Sequence, residues 1–269
     1  TGPFFLYFAH MYVHLPLYAP EGMVKASENG DYGACVAGID WATDVILCEL
    51  KRLGLEDDTL VIFTSDNGSR LDNQGGSNGS LRGRKGTTWE GGQRVPCIVR
   101  WPSRVPAGVV RKQLATTMDL YPTLARLVGA EVPTDRTIDG VDISPLLFDE
   151  DPGASPREDF VYYDENRLEA VRDGKWKLHV RKRNEEIAEL YDLESDIGET
   201  ENLYDSNPGV VAALSARIDA FRRELGDEAT GVTGSGVRPA SRVDNPQALT
   251  HYDPEHPYIY AEYDKGERG

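Results

Sequence analysis

Two neighbouring stretches constrain the fold more than any others. From Asp31 to Leu53 the residues Tyr32, Cys35, Val36, Ile39, Ala42, Val45, Ile46, Leu50 and Leu53 recur at intervals of three and four. That is the spacing of one apolar helix face. Gly54 follows where a helix end takes a left-handed residue. A few residues later Thr59–Thr64 is a β-branched, apolar run of the kind that fills central strands. Phe4–Ala9 reads as another fully buried strand, Pro96–Trp101 as a third, and Asp119–Val128 as a helix closed by Gly129. Helices alternating with short apolar strands predict an α/β layer with a mostly parallel sheet and flanking helices.

The pattern changes near residue 150. Asp151-Pro152-Gly153 and Ser155-Pro156-Arg157 read as a linker. Phe160–Tyr163, Leu168–Arg172, Lys175–Val180 and Glu189–Leu193 read as short strands, with a hairpin turn at Asp173-Gly174. Asn207-Pro208 opens a helix that runs to about Leu225 and stops at Gly226. The expected division is an α/β part over residues 1–150 and a small α+β subdomain with an antiparallel sheet over residues 151–269. Tyr252, Tyr258, Tyr260 and Tyr263 in the last segment suggest packing against a domain.

Charge narrows the function. Asp and Glu number 45 against 29 Lys and Arg, a formal net charge of −16. Nucleic-acid and anionic-membrane surfaces need basic patches, so the acidity argues against both as partners. No run reaches the ~18 apolar residues of a membrane span. An anionic substrate stays open, because a cation or a few local charges override the global field. Cys35 and Cys48 would lie on roughly opposite faces of one helix, about 20 Å apart along its axis. They cannot form a disulfide. With Cys97 they are expected to be buried small hydrophobes.

Three places could carry chemistry. Asp66 and Asn67 follow a central strand at its carboxyl end, where open α/β sheets place ligands. Their oxygens suit Ca2+ or Mg2+, although an Asx turn would use the same residues. Asp57 and Asp58 precede the same strand, about 20 Å away, and read as turn residues. Lys85 lies between glycines beside Arg82 and Arg84, where backbone N–H groups and an ammonium could meet one oxyanion. A solvated surface loop is the alternative. His14, with His10 as its rival, could act as a general acid or be structural.

These residues form an ordered set that resembles the second half of sulfatases, the arylsulfatases above all. Phe4-Phe5-Leu6-Tyr7-Phe8-Ala9 followed by His14-x-Pro16 is similar to the family's strand and His-x-Pro element. Val61–Gly68 resembles its metal-binding strand end, and Lys85-Gly86-x-x-x-Glu90-Gly91-Gly92 its sulfate-binding lysine loop. Glu189–Leu193 with Asp196, Gly198-Glu199 and Asn202-Leu203 resembles an element of its C-terminal subdomain, with Ile197 where the family has Pro. The resemblance implies that Asp66 and Asn67 complete a Ca2+ or Mg2+ site. It implies that Lys85 binds a sulfate oxygen, and that His14 contacts the ester oxygen and helps protonate the leaving group. The metal would act as a Lewis acid, and the nucleophile would be a formylglycine made within Cys/Ser-x-Pro-x-Arg.

That motif does not occur here: Val-Ala-Gly-Ile follows Cys35, Glu-Leu-Lys-Arg follows Cys48, and Ile-Val-Arg-Trp follows Cys97. The family's first pair of acidic metal ligands and its Lys-x-His element are missing too. The expectation is therefore the C-terminal part of a sulfatase acting on sulfate esters, inactive alone, with a weak or vacant metal site. An exposed sheet edge would favour self-association or an N-terminal partner chain. Two alternatives share the residues: a phosphoester or phosphonate hydrolase of related fold, and a non-catalytic chain that binds anions or acts in assembly.

Overall fold

The computed structural model describes residues 2–71 and 75–246. They divide into two compact units, one of residues 2–46, 75 and 238–246, the other of residues 47–71 and 76–237. The tail tyrosines Tyr252, Tyr258, Tyr260 and Tyr263 lie outside the described residues.

In the first unit Phe4–Ala9 forms no strand. Phe5 and Tyr7 are 80% and 81% exposed. An extended segment becomes a strand only when its N–H and C=O groups meet a neighbour, and none pairs with it among the described residues. Helix α1 is Glu21–Ala26 and helix α2 is Gly30–Arg52, which runs on into the second unit. Its acidic start at Asp31 and basic end at Lys51 and Arg52 suit the helix dipole. Gly54 has φ +68°, as the sequence predicts. All three cysteines are free thiols. Only Cys35 is buried, its Sγ donating to the Tyr18 carbonyl at 3.7 Å. Cys48 and Cys97 are exposed, contrary to expectation; Cys97 opens β2, where the neighbouring Ile98 is uncovered as well.

The second unit begins with β1, Val61–Thr64, followed by helix α3, Glu90–Gln93, and β2, Cys97–Arg100. Strands β1 and β2 pair antiparallel, from Val61↔Arg100 to Thr64↔Cys97. The parallel neighbours expected for β1 are not among the described residues. Helices α4, Leu120–Leu127, and α5, Ser144–Phe148, come next. Buried Asp119 accepts hydrogen bonds from Arg157 and from the Thr116 and Val141 N–H groups. Burial alone would raise its pKa; these donors outweigh it and hold the carboxyl below the usual range.

A four-stranded antiparallel meander follows: β3, Asp159–Asp164; β4, Arg167–Asp173; β5, Trp176–Lys182; and β6, Glu185–Asp192. All four strands lie where the sequence places strands, although β6 begins at Glu185, four residues before the expected start, and Gly174 turns the β4–β5 hairpin at φ +54°. The α/β class with an antiparallel C-terminal sheet thus holds. Helix α6, Pro208–Leu225, starts after Asn207 and stops at Gly226. Its Leu214 and Ile218 pack on Leu168, Val171, Leu178 and Leu190 of the sheet, all nearly inaccessible to solvent. This is the main apolar core of the unit. No helix among the described residues is long and apolar enough to cross a membrane.

Candidate functional site

The chain leaves β1 through Ser65-Asp66-Asn67-Gly68. Ser65 Oγ donates to the Asn67 carbonyl at 3.2 Å, which closes a tight turn and leaves the Asp66 side chain exposed. Gly68 is required here. A Cβ on it would lie 1.8 Å from the Gly91 carbonyl oxygen. Its N–H donates to Gly92 O at 3.1 Å, and the Lys85 N–H donates to Ser69 O at 3.0 Å. Asn78 closes the loop. Its Oδ1 accepts the Ser69 N–H at 2.8 Å, and its Nδ2 donates to the Ser69 and Gly83 carbonyls. Gly91 has the same need as Gly68, with the Arg82 and Gly83 carbonyls each 2.6 Å from a would-be Cβ. The structure therefore fastens the lysine loop to the strand end that carries Asp66 and Asn67.

Behind Lys85 stands a network of buried charge. Lys177 is fully buried, and its three ammonium protons have three acceptors: Thr88 O at 2.8 Å, Glu90 Oε1 at 2.9 Å and Glu199 Oε1 at 3.0 Å. The other Glu199 oxygen accepts the Glu90 N–H at 2.7 Å. His179 Nε2 donates to Glu199 Oε1 at 2.8 Å, while its buried Nδ1 has no partner. Burial, and then the charges of Lys177, Lys182 and Arg82, push His179 well below its ordinary value, so the ring is neutral. Burial pushes Lys182 down to about 8 despite nearby Glu169. Burial and Glu90 push Tyr162 well up. Arg82 donates to Tyr191 Oη and to the Glu199 carbonyl, both at 3.0 Å, and lies 3.6 Å over the Trp89 ring. The C-terminal sheet thereby grips Arg82, Thr88 and Glu90 on either side of Lys85.

Asp66, Asn67 and Lys85 belong to one unit, on two segments joined by the backbone hydrogen bonds above. His14 belongs to the other unit, exposed, with Nδ1 donating to the Leu15 carbonyl at 2.8 Å. Its rival His10 is engaged internally: Nδ1 accepts the Tyr12 N–H at 3.1 Å, and the ring lies between Phe8 and Tyr12. Asp66 and Asn67 offer hard oxygen donors of the right chemistry for Ca2+, but fewer than the six to eight it takes. Among the described residues, no group of three or more His, Cys, Asp or Glu could hold a metal ion.

In the sequence Glu90 and Glu199 stand out only as letters of motifs, and Lys177, His179, Glu169 and Lys182 not at all. The signal was the alternation on β5, where Lys177 and His179 share the face opposite Leu178. Such a face is usually read as solvated.

Two family models match: the sulfatase model over residues 1–130, and the C-terminal model of N-sulphoglucosamine sulphohydrolase over residues 84–224. The chain belongs to the sulfatase family. It is 44% identical to mouse steryl-sulfatase over 63% of this chain and 28% of that protein. It is 37% identical to human arylsulfatase A over 82% of this chain and 48% of that protein. A solved structure from work on glycosaminoglycan metabolism by Bacteroides thetaiotaomicron superposes with a TM-score of 0.70 at 29% identity, covering 79% of this chain and 49% of that one. The chain thus spans about half, or less, of the length of these sulfatases.

Proposed function

We propose that this chain supplies the sulfate-binding lysine, part of the metal site and the leaving-group acid of a sulfatase that hydrolyses sulfate esters. The observation that carries the reading is the lysine loop tied to the end of β1, through Lys85 N–H to Ser69 O at 3.0 Å and Gly68 N–H to Gly92 O at 3.1 Å. This ties the loop that carries Lys85 to the strand end that carries Asp66 and Asn67, through glycines that let the backbones approach closely.

In this reading Lys85 pairs with a sulfate oxygen and holds more tightly as charge grows there in the transition state. Asp66 and Asn67 would help hold a Ca2+ or Mg2+ ion, which when bound supplies Lewis-acid neutralisation of the sulfate. His14 keeps its Nδ1 proton on the Leu15 carbonyl. When protonated it gives the Nε2 proton to the departing ester oxygen. The buried pairs of Lys177 with Glu90 and Glu199 keep the lysine loop in one geometry. Formylglycine chemistry at a Cys/Ser-x-Pro-x-Arg segment is the expected source of the nucleophile. The 269 residues alone, which contain no such segment, are expected to show no turnover.

The test is sulfate release from 4-nitrophenyl sulfate by the full gene product. Lys85→Ala and His14→Ala should each lower kcat/KM by at least about 100-fold. Wild-type activity in both variants would overturn the site assignment. Robust turnover by the 269-residue chain would overturn the expectation that the nucleophile lies elsewhere.

A further inference from the structure

A cavity of about 440 Å3 opens beside the lysine loop. Gly86 and Thr87, the residues directly after Lys85, form one wall with Trp89. The tip of the β5–β6 hairpin, residues 182–185, forms the other. We propose that this cavity receives an uncharged, polyhydroxylated sugar unit attached to the sulfated group, so that the substrate is a sulfated glycan and not a sterol or simple aryl sulfate. The proposal rests on the sulfate-ester reading above and assigns its substrate class.

The lining chemistry carries the choice. No aliphatic side chain lines the cavity, and apart from the Trp89 ring every lining side chain ends in a polar group. Fused hydrocarbon rings would strip water from carboxylates and ammonium groups and return no hydrogen bonds. Vicinal hydroxyls both donate and accept, and so suit a wall of mixed sign. The volume falls within the range of small-molecule sites.

Charge balance disfavours a second anion. Glu169 is already engaged: it accepts from Thr88 Oγ1 at 2.5 Å and from the Arg183 N–H, and it pairs with Lys182 at 3.5 Å. Asp164 pairs with Arg167 at 3.2 Å. Arg183 and Glu185 are left exposed at the rim, one charge of each sign. Trp89 supplies shape more than a stacking platform, since Arg82 and Lys182 lie 3.6 and 3.9 Å from its ring centroid.

The same rim is a tight hairpin turn held by a buried acid. Arg183 has φ +53°, a left-handed conformation unfavourable for a long side chain. The buried Glu169 carboxylate holds its N–H there. Glu165 and Gly174 take nearly the same φ, +54°, in the other two hairpins of the meander, so this is the ordinary geometry of a two-residue hairpin turn.

The experiment compares kcat/KM of the full gene product on 6-O-sulfated lactose, 4-nitrophenyl sulfate and estrone sulfate, for wild type and Arg183→Gly. Glycine accepts the φ of this position, so the variant folds at least as well and a loss is not unfolding. The expected result is that the wild type prefers the disaccharide to estrone sulfate. Arg183→Gly should lose at least ten-fold more kcat/KM on the disaccharide than on 4-nitrophenyl sulfate. Equal losses on both esters, or better turnover of estrone sulfate by the wild type, would overturn the proposal. If no ester releases sulfate, the sulfatase reading itself fails, and calorimetry of the 269-residue chain with unsulfated lactose reads the cavity alone. Saturable binding weakened at least five-fold by Arg183→Gly would sustain the subsite, and no heat at millimolar lactose would overturn it.

Discussion

On β5, Leu178 packs toward α6 with Leu214 and Ile218, while Lys177 and His179 reach the other way to Thr88, Glu90 and Glu199. One sheet therefore meets a helix through hydrocarbon on one face and the lysine-bearing loop through ion pairs on the other. Hydrocarbon burial is non-directional and tolerates small shifts of α6. The ion pairs demand particular distances, and breaking one leaves a charge stranded in a dry interior. The apolar face holds the subdomain together, and the charged face fixes where the lysine loop sits.

The contrast breaks most sharply at Glu199. Glu199→Ala strands Lys177 with one carboxylate fewer and removes the acceptor of His179. It should cost about 3–5 kcal/mol in urea denaturation. A cost below about 1 kcal/mol would mean that the network is dispensable. On the apolar face Leu190→Ala should cost about 3 kcal/mol, the usual result of opening a core cavity. The two faces are distinguished by the double variant Lys177→Met/Glu199→Leu, which should recover part of the loss of Glu199→Ala because the buried ammonium is gone, while Glu90 keeps Arg172 at 3.7 Å and Arg94 at 3.8 Å. No double substitution that keeps a cavity would restore Leu190→Ala.

Acid separates the faces next. The unfolded chain takes up a proton on His179 near about 6.5, while the folded chain, with its pKa well lowered, does not. The unfolded state thus binds more protons in that window, and stability falls as pH drops below about 6.5. His179→Gln should flatten this slope, as read by urea midpoints between pH 7 and pH 5. An unchanged slope would locate the acid sensitivity elsewhere. The smallest effect is expected at the outer end of the same strand. Arg181 pairs at 2.9 Å with Glu186, whose side chain is 83% exposed. Glu186→Gln should change stability by less than about 0.5 kcal/mol.

Much of this architecture was legible. The α2 period, the β1 run, all four strands of the meander and the caps of α6 follow from local pattern. Phe4–Ala9 was read as a buried strand and is exposed instead, because a strand needs a neighbour that its own residues cannot supply. The candidate site was legible in part, as Asp66, Asn67, Lys85 and His14 stand in recognisable motifs. The charged face was not. Lys177 is separated by 87 positions from Glu90 and by 22 from Glu199, and nothing local distinguishes it from a solvated lysine.

The sequence by itself determined the family, the element types and the residues with chemistry to offer, because periodicity, turn residues and motif spacing are properties of short stretches. Tertiary structure alone decided that the glycines of the lysine loop press against the strand end. It also decided that Lys177, His179, Glu90 and Glu199 share one buried site, and that Lys182 and Arg183 rim a polar cavity. Burial, pairing and pKa depend on distances between residues far apart in the chain, and those distances exist only once the sheet has closed over the loop.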